Sequence, residues 1–163
     1  MENLDKVALF NIAIELDLPN LLNFCQSSKK INNLICKRNE IWNYKLKEFP
    51  EKIEFEKYNF SDKELYILLY NLKSLKEKLK LSESLFDLYN LEKLNFIFKE
   101  EIPKEIFKLI NLKELNLGFG QIKALPKELG NLVNLERLTL TNNQIIKIPK
   151  EIKKLPNLKI LEI

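Results

Sequence analysis

From residue 90 onward, apolar and polar positions repeat one figure. NLEKLNF (90–96), NLKELNL (111–117), NLERLTL (134–140) and NLKILEI (157–163) share it, and their first leucines, Leu91, Leu112, Leu135 and Leu158, are spaced by 21, 23 and 23 residues. Between them recur IPKEIFKLI, LPKELGNLV and IPKEIKKLP, which begin at Ile102, Leu125 and Ile148. Strict alternation over a few residues predicts a short strand with its leucines on one face. A unit this short cannot bury its apolar edge alone, so the period predicts stacked coils that share one core. In the second full unit Leu112, Leu115 and Leu117 face inward, and Ile122, Leu125, Leu129 and Leu132 close the turn behind them. The prolines at 103, 126 and 149 open each return segment, where a fixed φ suits a turn or a first helical position.

Upstream the period changes. Residues 61–80 read as a helix with Leu65, Leu68, Leu69, Leu72, Leu75 and Leu79 on one face, opened by a Ser61 to Glu64 capping box and expected to cover the first edge of the stack. Residues 81–90, LSESLFDLYN, read as the return half of a degenerate repeat. Residues 1–50 lack the repeat and predict four short helices. The first carries Leu4, Leu9, Ile12 and Leu16 on one face. Pro19 opens the second, with Leu21, Leu22, Phe24 and Cys25. Ser27 or Ser28 caps a third containing Ile31, Leu34 and Ile35, and Asn39 caps a fourth with Ile41, Trp42, Tyr44 and Leu46.

Chemistry enters mainly by exclusion. The chain has no histidine, so Ser-His-Asp triads, Cys-His dyads and ordinary zinc sites cannot be assembled. Three glycines supply neither a phosphate loop nor a dinucleotide turn. We expect no enzyme, no cofactor and no metal. Only Arg38 and Arg137 are arginines, and the net charge is +4. That small excess, dispersed among glutamates, argues against nucleic acid or a membrane surface as the partner. No apolar run is long enough to span a bilayer, and the acidic start does not resemble a secretory signal. The expected compartment is intracellular, cytoplasmic with the nucleus open, and there Cys25 and Cys36 do not make a disulfide framework.

Residues 85–163 resemble the leucine-rich repeat family in its 23-residue class. The family pattern implies a turn asparagine whose side chain satisfies backbone groups of neighbouring coils. Asn143 stands at that position, with Gly120 and Lys99 at the equivalent places in earlier coils. It also implies a concave face, here Lys93, Asn95, Glu114, Asn116, Phe119, Gln121, Arg137, Thr139, Thr141, Asn142 and Gln144, holding a protein target. The stretch LDKVALFNIAIELDLPNLLNFCQSSKKINNLICKRNEIWNYKLKEFP resembles an F-box, particularly the divergent F-box-like motifs of large DNA viruses of protists. Leu4-Asp5 stands where that family has Leu-Pro, and Ile31 where it has tryptophan. The resemblance implies that Leu4, Leu9, Ile12, Leu16, Leu18, Pro19, Leu21 and Trp42 face, or position a helix that faces, the Skp-type adaptor of a cullin ubiquitin ligase. The expected fold is thus an α plus α/β solenoid. An F-box-like helical domain spans 1–50, a helical linker and cap 51–84, and leucine-rich repeats 85–163. The repeats stop inside a strand at Ile163 with leucines uncapped, which points to a truncated array, a partner, or edge-to-edge self-association. The expected role is recruitment of a protein target to the ligase. The alternative is a ubiquitin-independent scaffold whose front helices only cap the array.

Overall fold

In the computed structural model, residues 6–98 and 101–163 are described. Leu4, Asp5 and Lys99 lie outside them. The chain divides into two compact units, Met1–Tyr70 and Asn71–Ile163.

The first unit is helical: α1 (Lys6–Glu15), α2 (Leu18–Gln26), α3 (Lys29–Ile31) and α4 (Asn39–Lys45), followed by 3-10 turns at Leu46–Glu48 and Pro50–Phe55. The side chain of Asp17 caps α2 by accepting from the Asn20 amide at 3.0 Å, with Pro19 in the first turn. Ser28 caps α3. Asn39 does not cap α4. It is the first helical residue, and Arg38 at the cap position makes no side-chain bond there.

The expected third helix departs from α geometry after Ile31. Residues Asn32–Cys36 form a π turn, closed by the Lys37 amide donating to the Asn32 carbonyl at 2.9 Å. A π turn fits one more residue into the cycle, and here the successive residues Ile35 and Cys36 are both buried. Cys36 thereby meets Cys25 of α2, their Cα atoms 5.7 Å apart, and the two form a disulfide. This corrects the expectation of unpaired cysteines. The single tryptophan, Trp42, is buried beside them and its indole N–H donates to the Cys36 carbonyl at 2.8 Å. Tyr66 packs against both Trp42 and Phe49, with ring centroids 6.0 and 5.9 Å away.

Helix α5 (Asp62–Leu79) crosses the division between the units. The predicted capping box forms: the Ser61 amide donates to Glu64 and the Glu64 amide to the Ser61 hydroxyl. In the second unit its last turns meet the first coil, where Ser74 and Lys78 both donate to Glu105. Helix α6 (Leu85–Tyr89), capped by Ser84, occupies the place of a return segment.

Four strands follow, β1 (Lys93–Asn95), β2 (Glu114–Asn116), β3 (Arg137–Thr139) and β4 (Ile160–Glu162), in one parallel sheet of sequential order. Leu94, Leu115, Leu138 and Leu161 stand in register across it. The return segments are 3-10 turns at Lys104–Lys108, Lys127–Asn131 and Lys150–Lys154, each preceded by its proline. Core burial is complete in the middle coils, where Leu112, Leu129, Leu132, Leu135 and Leu138 are inaccessible, and declines in β4, where Leu161 is 40% exposed.

Two sets of asparagines tie the coils together. Asn143 donates to the carbonyls of Leu117 and Leu140 and accepts from the Ile122 amide. Gly120 makes room for it: a Cβ there would lie 2.7 Å from Asn143 Oδ1 and 2.6 Å from the Phe98 carbonyl oxygen. The second set lies before the strands. Asn111, Asn134 and Asn157 each donate to a carbonyl of the preceding coil, those of Tyr89, Ile110 and Val133. Backbone groups left over between short strands are paired in this way, which a buried coil requires.

Candidate interaction surface

The expected concave residues sort into three places. Lys93, Asn95, Glu114, Asn116, Arg137 and Thr139 lie on the strands beside the inward leucines. Their charges are largely engaged with one another. Lys93 pairs with Glu114 at 2.9 Å and Arg137 with Glu162 at 2.9 Å, while Thr139 donates to the second oxygen of Glu162. One residue earlier, Glu92 pairs with Lys113 and Glu136 with Lys159. Reading across the coils, one row runs Glu92, Lys113, Glu136, Lys159 and the next Lys93, Glu114, Arg137, Ile160. The signs alternate along each row as far as the neutral Ile160, and oppose between the rows in the first three coils. Hydrogen bonding to Lys159, and then its charge, holds the Glu136 carboxyl below the usual glutamate value; Glu92 in the same way raises Lys113. Glu92, Lys113, Glu136, Lys159 and Glu162 were not among the expected site residues, although the alternation is visible once the repeats are aligned.

Phe119, Thr141 and Asn142 sit in the turns after the strands. Phe119 and Asn142 occupy the same position in successive coils and both have positive φ, 60° and 56°. Asparagine tolerates this region, whereas a bulky aromatic is strained there. Phe119 is nevertheless 70% exposed, flanked by Gly118 and Gly120. Together with Asn95, Phe96, Ile97, Asn116 and Gly118 it lines a groove of about 520 Å³. Ile97, also absent from the expected set, is 60% exposed. Asn116, which also lines this groove, accepts the Gly118 amide on its side-chain carbonyl oxygen. Gln121 and Gln144 lie elsewhere, in a lateral groove of about 620 Å³ shared with Ile102, Lys104, Lys123 and Leu125.

In the helical unit, the expected adaptor residues divide by burial. Leu9, Leu18, Leu21 and Trp42 are buried in the unit's own core, so they present no surface; Ile12 and Pro19 are exposed and Leu16 is half-buried. Leu4 lies outside the described residues. The most exposed apolar side chains of the unit are instead Val7 of α1 and Ile53 of the second 3-10 turn, with Tyr44 of α4, also exposed, packing edge-on against Phe10. Among the described residues no group of histidine, cysteine or carboxylate side chains is arranged to hold a metal, and no helix is long and apolar enough to cross a membrane.

Comparison with known proteins bears on the second unit. The family described as Leucine rich repeat matches residues 110–163, and these residues are leucine-rich repeats by sequence as well as by their parallel strands. A solved leucine-rich repeat protein of Leptospira interrogans is similar at 32% identity and a TM-score of 0.42, over 48% of this chain and 27% of its own. This chain therefore spans about a quarter of that protein's resolved length. No curated protein matches it.

Proposed function

We propose that this protein is a non-catalytic recognition module: its repeats hold a protein target, and its front helices dock a Skp-type adaptor of a cullin ubiquitin ligase within the cell. Phe119 carries the first half of this reading. The left-handed turn recurs in both coils, but only here is it filled by a large aromatic, which takes the strained backbone while its ring stays mostly exposed. An exposed aromatic on a left-handed turn, beside an aliphatic residue and two asparagines, is the composition of an interface anchor. The neutralised charges of the strand side leave shape and apolar contact to select the target.

The second half rests on the F-box-like residues. Ile12, Leu16 and Pro19 would touch the adaptor, and Leu9, Leu18, Leu21 and Trp42 would fix the helices that present them. The test is calorimetric titration of the full chain with a purified Skp-type adaptor. We expect binding that weakens by at least about a hundredfold in Ile12→Asp, because a buried unpaired charge costs several kcal/mol. If the wild-type chain does not bind where a known F-box protein does, the ligase reading falls. The second reading, a ubiquitin-independent scaffold, then stands; it is favoured by the burial of Leu9, Leu18, Leu21 and Trp42 in the unit's own core.

A further inference from the structure

The return segments carry the tripeptide Pro-Lys-Glu three times, at 103–105, 126–128 and 149–151. Successive 3-10 turns pack on one another, and closely: a Cβ on Gly130 would stand 3.1 Å from Glu151 Cβ. Repetition therefore stacks Lys104, Lys127 and Lys150 in one row and Glu105, Glu128 and Glu151 in the next. Like charges in a row repel, whereas the strand side of the same coils alternates its signs.

The two rows also differ in access. The three lysines are exposed and make no ion pair among the described residues. The three glutamates are half-buried, and Glu105 is held by Ser74 and Lys78. Burial raises the Glu105 carboxyl, but bonding to Lys78 and Ser74 outweighs it, and the group stays ionised below the usual glutamate value. The back of the coils thus offers a lysine stripe bordered by a partly withdrawn stripe of the opposite sign.

We propose that this lysine stripe docks the acidic edge of an extended protein segment lying along the repeat axis. The bordering glutamates decide the class of partner. A bilayer or a nucleic acid spreads negative charge over the whole face and meets the glutamate row beside the lysines, whereas a peptide can present its carboxylates in a single row. Lysine ammonium groups are hydrated point charges suited to exposed carboxylates, and neither arginine of the chain lies in this row. Attraction of this kind is screened by salt. The site lies apart from the Phe119 groove and does not rest on the function proposed above.

The test is a titration of the full chain with a fluorescent oligoglutamate peptide at low ionic strength. We expect saturable binding that weakens at least about tenfold in the triple variant Lys104→Gln, Lys127→Gln, Lys150→Gln. The charge-matched triple variant Lys93→Gln, Lys113→Gln, Lys159→Gln should lose less than about twofold. All six side chains are exposed, so both variants should keep the wild-type circular-dichroism spectrum, and a variant that does not is replaced by the corresponding single substitutions. Absence of saturable binding overturns the proposal, as does an equal loss in the two triple variants. Tighter binding of oligouridylate or of phosphatidylserine vesicles than of oligoglutamate overturns it too. Phe119→Ala should leave oligoglutamate binding unchanged, which separates failure here from failure of the target-binding reading.

Discussion

The two units of this chain reach a buried core by opposite means. The repeat unit copies one short solution: the same leucine recurs at the same place in each coil, and each coil's unsatisfied carbonyl is met by the next coil's asparagine. The helical unit has no copies. It closes around unlike parts, with a disulfide, one tryptophan and a π turn each used once. Copying makes stability cumulative and spreads it along the stack; assembly from unlike parts concentrates it in a few contacts. The difference predicts where each unit is vulnerable.

The largest effect should come from Leu138→Asp. Leu138 is inaccessible between Leu115 and Leu161, and an uncompensated buried charge costs several kcal/mol, comparable to the stability of a domain. Circular dichroism should show the loss of the repeat unit's cooperative transition while Trp42 emission, which reports on the helical unit, stays blue. A simultaneous red shift would show that the two units do not melt separately. Asn95→Asp, on an exposed strand position, should be mild. Thr139→Asp is a poorer control, because it sets a carboxylate against Glu162, which now accepts the Thr139 hydroxyl.

Next in size is removal of the disulfide. Closing a loop across a sequence separation of 11 stabilises by about 3 kcal/mol in the chain-entropy account. Reduction by a dithiol, or Cys25→Ser with Cys36→Ser, should lower the midpoint of the Trp42 transition and leave the repeat transition in place. An unchanged Trp42 midpoint in denaturant would mean that the bond contributes nothing to the unit.

The smallest effect is the pH dependence of the repeat unit. Glu105 and Glu136 titrate below the ordinary value of 4.5 when folded, so their contribution is present above that value and is lost as the pH falls through their folded values. Lys113 titrates above its ordinary 10.5; its contribution is present below 10.5 and is lost as the pH rises through the folded value. Thermal midpoints should therefore decline at both extremes. Glu105→Gln should flatten part of the acid limb, and an unaltered acid limb would show that the Lys78 contact has no weight in folding.

Legibility in the sequence followed the same division. The strands, their register and the inward leucines could be read from Leu112, Leu115 and Leu117 because each copy corroborates the others. So could the capping box at Ser61 and Glu64, whose partners lie one turn apart. The disulfide could not. It depends on a one-residue change of phase at Asn32–Cys36, and an i to i−5 bond leaves no hydrophobic period by which to notice it. Asn111, Asn134 and Asn157 were plainly periodic, yet their role needed the carbonyls of the preceding coil to be located. The interface residues were legible only by position. The family pattern placed Phe119 on the concave face, but nothing in it announced the left-handed backbone there or the groove that Phe119 lines with Ile97.

The alternating charges on the strand side carry a consequence for how such an array can lengthen. Apolar positions and the back face repeat after one coil, but the sequence Glu, Lys, Glu, Lys at 92, 113, 136 and 159 repeats only after two. The array therefore has parity. Duplicating a single coil would keep every leucine and asparagine in place and yet set two glutamates or two lysines side by side. Duplicating a pair would preserve each ion pair. Lengthening is electrostatically neutral in even steps and penalised in odd ones, so the charge period on this face is the doublet even though the unit of folding is the single coil.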